Sequence, residues 1–418
     1  MNDRDLLVAL FNAAVAAADP ADGIRRHLPA PPRDGRTVVV GAGKGAAQMA
    51  AALEGLWDAP LSGVVATRYG YGCATRSIEV IEAAHPVPDA AGLVASRRLF
   101  ETVENLAEND LVIALICGGG SALLPAPPPG VSLADEIVLN EQLLASGAPI
   151  SAMNVVRKHL STIKGGRLAA ATRARVVSFI VSDIPGDNPA YVASGPTIAD
   201  ASTRQDALDI VAQYGLQLPD SFLVHLNTPA ADAPHPDDPV FSRNKHHIIA
   251  SAGVSLQAAA DLAGRHGITA HILSDSIEGE ARDVALVHAA VAREMIGRDR
   301  PFTRPALLLS GGETTVTLRA KEGRGGRNGE FALALALATD GLNLTALLAD
   351  TDGIDGSETN AGAFIDGSTA RRLRGAGLDG RRLLSENDSF TGFEKLGDLF
   401  VTGPTGTNVN DFRAILVR

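Results

Sequence analysis

The residues with the clearest chemical potential lie in three segments, 311–315, 323–330 and 350–356, which are rich in glycine, arginine and carboxylates. Glycine leaves backbone N–H groups uncovered, and such groups bind the oxygens of phosphorylated compounds. Clustered carboxylates bind a divalent cation that neutralises phosphate charge. The pattern predicts a site for a phosphorylated anion and a divalent cation on loop tips, and it favours a phosphoryl-transfer enzyme.

Individual residues of these segments suit different tasks. The candidates for binding phosphate or substrate are Gly311, Gly312, Glu313, Thr314 and Asn328. The candidate metal ligands are Asp350, Asp352 and Asp355. A Mg²⁺ ion that is shared with nucleotide phosphates needs only one or two protein carboxylates, so the cluster predicts such a site.

A glycine turn with an embedded lysine is a second candidate site. Residues 41–46, GAGKGA, follow a predicted strand and open a predicted helix, in the GxGxxA form of a dinucleotide-binding turn. A dinucleotide site normally has an acidic residue at the end of the next strand, where this chain has Arg68; an arginine there could accept the 2′-phosphate of NADP. The ammonium of Lys44 beside a helix N-terminus instead favours a phosphate contact, with Gly43 and Gly45 supplying backbone amides. The alternative is a solvated lysine on a tight turn.

Four residues between a buried strand and a helix predict a nest for an oxyanion or a phosphate. They are Gly118, Gly119, Gly120 and Ser121. Consecutive glycines leave the backbone amides uncovered, and the serine adds a hydroxyl at the helix start. A turn tightened for packing is the alternative. A serine nucleophile is disfavoured, because the GxSxG elbow is absent.

The segment 153–167 predicts a helix that ends at two glycines. The polar residues that would share one face of it are Asn154, Arg157, Lys158, Ser161 and Lys164. A basic stripe in an acidic protein suggests recognition of a carboxylate or phosphate, with Asn154, Arg157 and Lys158 as the candidate contacts. A solvated helix face is the alternative.

Two carboxylates, Asp183 and Asp187, follow another buried strand, and Ser194 lies in the loop after them. A carboxylate at a strand end suits either general-base work on a hydroxyl or a metal ion. The alternative is ordinary turn chemistry, because aspartate, proline and glycine are common loop residues.

Composition excludes several classes of partner. The net charge of −11 argues against a nucleic acid or an acidic membrane surface, since both require clustered basic residues. The chain has two cysteines, its start lacks the features of a signal peptide, and no apolar run approaches the ~18 residues that span a bilayer. We therefore expect a cytoplasmic protein.

Short aliphatic runs predict the strands that position these residues. Each run is followed by Gly, Ser or Asp and then by a helical segment. The runs are residues 37–40, 111–117, 176–181, 248–250, 307–309 and 344–349. Their pattern predicts α/β folding with mainly parallel sheets and ligands at the carboxyl ends of the strands. The 418 residues suffice for two domains, and the Pro- and Asp-rich segment 228–242 predicts the linker between residues 1–235 and 236–418. Asn328 is expected to cap a helix that follows it.

In their order along the chain, these motifs resemble those of the glycerate 2-kinase family, whose carboxyl-terminal region is called MOFRL. The resemblance covers essentially the full chain and rests on the combination of residues 41–45, 84–89, 117–121, 154–167, 182–187, 194–197, 310–315, 325–330, 350–356 and 403–411. It implies two unlike three-layer α/β domains around an active-site cleft. The first would be Rossmann-like with a mainly parallel, doubly wound sheet, and the second would have a mixed sheet.

The resemblance also implies ATP-dependent phosphorylation of D-glycerate to 2-phosphoglycerate, with Lys44 and Arg327 in the positions of the family's catalytic lysine and active-site arginine. ATP and Mg²⁺ are the expected cofactors, and Asp183 or Asp187 is the expected base. Family members have also carried the label hydroxypyruvate reductase, so an NAD(P)H-dependent reductase is the alternative; a non-catalytic sugar-acid binding protein ranks third. The loops that hold ATP and glycerate, and the oligomeric state, a homodimer included, stay open.

Overall fold

The computed structural model describes residues 2–320 and 323–418, and both ranges contain α-helices and β-strands joined by loops. The strands are β1 (Thr37–Ala42), β2 (Leu61–Arg68), β3 (Ile78–Ala83), β4 (Leu111–Cys117), β5 (Arg175–Val181), β6 (Lys245–Ala250), β7 (Thr269–Glu280), β8 (Ala306–Thr315), β9 (Leu344–Asp350), β10 (Gly362–Asp366), β11 (Leu399–Phe400) and β12 (Asp411–Val417). The helices are α1 (Asp3–Ala17), α2 (Pro20–His27), α3 (Ala46–Leu56), α4 (Ala90–Val103), α5 (Gly120–Leu123), α6 (Leu133–Ala145), α7 (Ile150–His159), α8 (Arg167–Ala170), α9 (Arg204–Gln213), α10 (Asp220–Leu226), α11 (Ala252–Arg265), α12 (Ala281–Arg298), α13 (Arg327–Ala338), α14 (Thr369–Gly375), α15 (Gly380–Ser385) and α16 (Ser389–Leu396).

The chain folds into two compact units. Residues Pro20–Ile249 form the first, which we call the parallel-sheet unit. Ala250–Arg418 and the segment before Pro20 form the second, which we call the mixed-sheet unit. All six aliphatic runs of the sequence lie in strands, so the predicted α/β class with two unlike domains is confirmed.

The parallel-sheet unit is built on the strand order β3-β2-β1-β4-β5-β6, and the pairings from β3 through β5 are all parallel. Strands β1 and β4 are buried over their full length, as expected for strands covered on both faces. Alternate residues of β1 pack against Ala95 and Leu99 of α4. Parallel pairing brings the carboxyl ends of β1, β4 and β5 to one edge, where the glycine turns emerge.

The mixed-sheet unit has the strand order β11-β10-β9-β12-β8-β7. Strands β7 and β8 are parallel, and the pairings from β8 through β12, β9 and β10 to β11 are antiparallel. Successive residues of β8 face opposite clusters: Leu308 packs with α12 and α13, and Leu309 packs with α1 and α11. Two covered faces make this unit three layers thick, with its core on both sides of the sheet.

This division differs from the sequence-based boundary after residue 235 in two places. The first helix, α1, packs in the mixed-sheet unit, where Phe11 makes edge-to-face contacts with Phe400 and Phe412 at 5.0 and 5.7 Å. Strand β6 completes the parallel sheet and extends that unit to Ile249. The Pro- and Asp-rich segment is not a free linker, because Ala231 within it is fully buried.

Helix α7 is shorter than the sequence predicts. It ends at His159, so Ser161 and Lys164 do not continue its polar face, and the prediction of one helix through residue 164 is wrong. The hydroxyl of Ser161 accepts hydrogen bonds from the backbone N–H groups of Ile163 and Lys164 at 3.3 and 3.4 Å. Such local side-chain bonds compete with the helical ladder and terminate it here.

Within residues 2–320 and 323–418, no single helix is long and apolar enough to cross a membrane; α1 and α2 meet that criterion only when they are counted together.

Candidate active site

Two glycine turns of the parallel-sheet unit pack directly against each other at the ends of β1 and β4. The backbone N–H of Lys44 donates to the carbonyl of Gly118 at 2.9 Å, and the N–H of Gly45 lies 3.2 Å from Sγ of Cys117. Gly43 has a φ of 140°, and a Cβ there would lie 2.3 Å from the same sulfur. Only glycine permits this approach, so the GAGKGA turn is fixed by packing as well as exposing backbone amides.

The side chain of Lys44 lies beside Gly119 and His85. The Cγ of Lys44 and the Nε2 of His85 would each be 3.1 Å from a Cβ at Gly119. Burial, Lys44 and Arg68 together lower the pKa of His85 to about 4, so this imidazole is neutral near pH 7. Across the described residues, neither Lys44 nor Arg68 takes part in a salt bridge. The ammonium of Lys44 beside the uncovered amides of the glycine turns attracts an anion, and Arg68 adds positive charge near His85.

The structure brings Asp183 to the same turns. A Cβ at Gly118 would lie 1.7 Å from Oδ2 of Asp183, so the carboxylate rests on the glycine backbone. Burial and this carboxylate raise the pKa of Cys117 to about 12, which leaves that thiol protonated.

Asp187 lies in the short turn Pro185–Asp187 with a φ of 52°, a conformation that costs about 1–3 kcal/mol for a residue other than glycine.

A chain of hydrogen bonds joins three more of the predicted residues. The hydroxyls of Ser121 and Ser194 are 2.9 Å apart, and Oγ of Ser194 donates to Oδ1 of Asn154 at 3.0 Å. Ser194 has a φ of 59°, in the left-handed region. Gly120 allows the approach of this loop, because a Cβ there would lie 2.6 Å from Cβ of Ala193. The chain connects the 118–121 turn to α7.

The cationic side chains of Arg157 and Lys158 on α7 have partners within the parallel-sheet unit. Nε of Arg157 donates to Oδ1 of Asn140 at 2.9 Å. Lys158 is fully buried, forms an ion pair with Asp200, and lies 4.7 Å from the centre of the Tyr191 ring. Burial lowers the pKa of Lys158 to about 7. Arg157 and Lys158 therefore do not form a solvated basic stripe with Asn154.

In the mixed-sheet unit, three carboxylates converge on one arginine. Arg327 is the first residue of α13; its Nε donates to Asp411 at 2.7 Å, Nη1 to Glu313 at 2.9 Å and Nη2 to Asp350 at 2.6 Å. Burial disfavours its charge, but the three carboxylates raise the pKa of Arg327 above its usual range. The guanidinium is thus held in a fixed orientation and stays charged.

Asp411 is the centre of this cluster and is fully buried. Besides Arg327, it accepts hydrogen bonds from Nδ2 of Asn328 at 2.9 Å and from the N–H and hydroxyl of Thr314, both at 3.1 Å. Burial alone would raise the pKa of Asp411, but Arg413 and Arg327 lower it. Thr314 and Asn328, which the sequence predicts as site residues, therefore donate hydrogen bonds to Asp411, which the sequence did not single out.

Arg413 was also missed. It is fully buried on β12, donates to the carbonyl of Gly311 and to the hydroxyl of Thr314, both at 3.0 Å, and forms an ion pair with Asp411. Its guanidinium carbon lies 4.9 Å from the centre of the Phe331 ring. One signal was available: apart from Asp411, every other residue of β12 is apolar, and an arginine in such a strand needs a buried partner.

The glycines at 311 and 312 lie within β8 and not on a loop tip as expected. Gly312 has a φ of 112°, and a Cβ there would lie 2.2 Å from the backbone N of Ile277 on β7. These glycines serve close strand packing, and Glu313 and Thr314 extend from the same strand to the arginine cluster.

The three aspartates predicted as metal ligands have different partners. Asp355 accepts from the N–H groups of Asn328 and Gly329 at 2.9 and 2.7 Å, so it caps α13, and the prediction that Asn328 does so is wrong. Asp352 accepts from the N–H of Ile354 at 2.8 Å, and Asp350 binds the arginine described above. No group of three His, Cys, Asp or Glu residues in the described ranges could hold a metal ion.

Burial changes the titration of two of these aspartates. It raises the pKa of Asp355 to about 6, against the lowering effect of the two backbone donors. Burial and the nearby carboxylates of Asp352 and Asp411 raise the pKa of Asp350 to about 8, in spite of Arg327. A further cation beside Asp350 would lower its pKa and favour its ionised form.

Comparison with known proteins gives full-length matches. Residues 6–227 match the family described as "Domain of unknown function (DUF4147)", and residues 306–411 match the MOFRL family. A protein of Agrobacterium vitis with the provisional name hydroxypyruvate reductase is 49% identical over 99% of this chain and 94% of its own length. A protein of Pyrococcus horikoshii named glycerate 2-kinase is 37% identical over 100% of this chain and 98% of its own. The crystal structure of a glycerate kinase from Thermotoga maritima superimposes with a TM-score of 0.90, at 38% identity and 99% coverage of each chain.

Proposed function

This chain belongs to the family defined by the DUF4147 and MOFRL regions, and from that premise we propose that it transfers the γ-phosphoryl group of ATP to D-glycerate, forming 2-phosphoglycerate. Full-length relatives named glycerate 2-kinase and glycerate kinase support the reaction class. The observation on this chain that carries the proposal is the ammonium of Lys44, which forms no salt bridge among the described residues. It lies on a glycine turn whose neighbouring loop also holds the carboxylate of Asp183.

Phosphoryl transfer requires mainly that the two substrates are aligned and that the charge of the phosphates is neutralised. An oxygen of glycerate attacks the γ-phosphorus, the bond from phosphorus to the bridging oxygen of ATP breaks, and ADP leaves. Asp183 is the proposed acceptor of the hydroxyl proton, because its carboxylate rests on the Gly118 backbone; Asp187 is the second candidate. Lys44 and the amides of the two turns neutralise and orient the phosphate oxygens.

Arg327 is the proposed second cation of the reaction. A guanidinium fixed by three carboxylates keeps one orientation, and a preorganised donor stabilises developing phosphoryl charge better than a flexible one. Asp411 and Glu313 would hold the group in place, and Asp350 would share in that role while its proton is absent.

Mg²⁺ is proposed as an ion shared with the nucleotide phosphates. A site made by the protein alone does not fit, because Asp355 is engaged by the helix N-terminus and Asp350 by Arg327. The oxygen donors of Asp350 and Asp352 have the chemistry that Mg²⁺ prefers, and one or two carboxylates suffice when phosphates complete the shell. The ion would supply neutralisation of phosphate charge.

A coupled assay tests the proposal. The purified chain with D-glycerate, ATP and Mg²⁺ should form 2-phosphoglycerate, which enolase converts directly to a product absorbing in the ultraviolet. Activity should be lost in EDTA and return with added Mg²⁺. Formation of 3-phosphoglycerate alone, activity unaffected by EDTA, or oxidation of NAD(P)H with hydroxypyruvate in place of kinase activity would each overturn it.

A further inference from the structure

Two of the chain's four tyrosines lie in one exposed segment after β2, and this segment directly follows Arg68. Tyr69 and Tyr71 are 51% and 44% exposed, and Val87, after β3, is 50% exposed. Exposed rings at the carboxyl edge of a parallel sheet are unusual in a chain whose aromatic residues are otherwise mostly in the core, and this edge is where such sheets bind ligands.

The segment that carries the rings is held rigidly. The N–H of Tyr69 donates to the carbonyl of Ala83 at 3.1 Å, and the N–H groups of Gly70 and Gly72 donate to Oε1 of Glu82 at 3.1 and 2.9 Å. Nε2 of Gln48, on α3, donates to the carbonyl of Tyr71 at 2.9 Å. The backbone is therefore tied to both neighbouring elements.

The ring of Tyr69 is fixed as well, because its hydroxyl donates to Oδ2 of Asp89 at 2.8 Å. A rigid aromatic surface loses little conformational entropy when a flat ligand stacks on it, so the rings are preorganised for binding. A loop that served only as a solvated connection would not need these hydrogen bonds.

The cations next to the rings define the charge of the ligand. The guanidinium carbon of Arg68 lies 5.4 Å from the centre of the Tyr71 ring. The hydroxyl of Thr67, the residue before Arg68, donates to the carbonyl of Lys44 at 3.0 Å, so the end of β2 contacts the lysine turn. Arg68 and Lys44 both lower the pKa of His85. Exposed tyrosine rings near these cations and the glycine turns match a ligand with a ring at one end and several phosphates at the other. Glycerate has an anionic group but no ring, and it would leave the tyrosines unused.

We propose that Arg68, Tyr69 and Tyr71 form the base-binding side of a nucleoside triphosphate site in the parallel-sheet unit. The base stacks on the tyrosine rings, Arg68 lies between base and phosphates, and the phosphate chain extends to Lys44 and the glycine turns. This inference rests on the proposed kinase function for its choice of a triphosphate, and it assigns the phosphoryl donor to this unit.

Equilibrium binding without glycerate tests the assignment. Titration calorimetry with ATP and with inorganic tripolyphosphate separates the contribution of the base from that of the phosphates. Tyr69→Leu and Tyr71→Leu should each weaken ATP binding about tenfold, the usual size of a lost stacking contact, and leave tripolyphosphate binding unchanged. Tyr71→Phe keeps the ring and should keep the affinity for ATP within about threefold. Tyr69→Phe keeps the ring but loses the bond to Asp89, so it should bind ATP more tightly than Tyr69→Leu and no more tightly than the wild type. Arg68→Met should weaken both ligands.

Each other result counts against the inference. Leucine variants that bind ATP like the wild type, or that lose tripolyphosphate equally, would remove the base platform. Wild-type protein that binds NADPH more tightly than ATP through Arg68 would replace the triphosphate by a dinucleotide. ATP binding that depends on the rings in a chain without glycerate kinase activity would keep this inference and overturn the proposed function; kinase activity with ring-independent ATP binding would do the reverse. Melting temperatures verify that the exposed substitutions leave the fold intact.

Discussion

Asp411 holds Arg327 by a hydrogen bond of 2.7 Å from Nε, although 84 positions separate the two residues in the chain. Asp411 begins β12 and Arg327 begins α13, so a strand end fixes a side chain at a helix start. Arg413 lies two residues further on the same face of β12 and contacts the other oxygen of Asp411. The orientation of Arg327 therefore depends on a buried residue that does not contact it in the described hydrogen bonds.

The first prediction concerns Arg413 as a positioning residue. Arg413→Lys keeps the buried charge but cannot make all of the contacts to Gly311, Thr314 and Asp411. We expect kcat to fall about tenfold or more while KM for both substrates changes little, because a misplaced catalytic group loses transition-state contacts. Steady-state kinetics measure this split.

A double-mutant cycle distinguishes this role from general destabilisation. In the Arg327→Met background, Arg413→Lys should lower kcat by less than about twofold, since the group it positions is gone. Equal loss in both backgrounds would mean that Arg413 acts independently of Arg327.

The second prediction compares the two proposed catalytic cations. Lys44→Met and Arg327→Met should each lower kcat by about 10²–10³, the usual effect of removing a preorganised charged donor. Their stabilities should differ. Lys44 has no salt bridge among the described residues, so its variant should melt near the wild-type temperature. Arg327→Met leaves buried carboxylates without their partner and should lower the free energy of unfolding by about 3–5 kcal/mol.

Denaturant unfolding and enzyme-coupled kinetics measure these differences. A Lys44→Met variant with near wild-type turnover would make that lysine a bystander. An Arg327→Met variant as stable as the wild type would show that the three carboxylates do not depend on the guanidinium.

The third prediction separates Gly118 from an ordinary glycine. In Gly118→Ala the new methyl group would overlap the carboxylate of Asp183, which can rotate away, so we expect the protein to fold but to lose at least about tenfold in kcat. Gly55→Ala, on α3, is the matched control: a Cβ there meets nothing within 4 Å, and alanine favours a helix. Equal activity of the two variants would remove Asp183 from the proposed mechanism.

The fourth prediction concerns acid sensitivity. His288 on α12 is buried, Nδ1 lies 2.9 Å from the carbonyl of Val284, and Nε2 lies 2.9 Å from the hydroxyl of Ser310. Burial, with a smaller contribution from Arg413, lowers the pKa of His288 from 6.5 to about 4. The unfolded chain then binds a proton between these pH values that the folded chain does not, so stability falls as the pH falls from about 6.5 to about 4.

His288→Gln removes this titration. Relative to the variant, the wild type should lose about 3 kcal/mol between pH 7 and pH 4, measured by denaturant unfolding at each pH. Parallel pH profiles for the two proteins would contradict the lowered pKa of His288. The remaining titratable groups affect both proteins and cancel in the comparison.

The sequence predicted the parts of the site that depend on local chemistry. The glycine turn after the apolar run 37–40 places Lys44 at a strand end. The conformation of this turn depends on its own glycines and not on residues that are distant in the sequence. The predicted aliphatic runs became strands for the same reason. Prediction failed where side chains compete with backbone: Ser161 ended α7 early, and Asp355 capped α13 in place of Asn328.

What the sequence alone determined is therefore the α/β class, the resemblance to glycerate 2-kinases, and the glycine turns and polar residues at the ends of strands, since these follow from periodicity and residue type over a few positions. Only the tertiary structure decided which carboxylate each cation meets. Arg327 could have paired with any acidic residue near it in sequence, yet its partners come from β8, β9 and β12, which the antiparallel register of the mixed sheet brings together. Charges attract without regard to sequence distance, so their pairing is set by which strands are neighbours, and that is a property of the folded sheet.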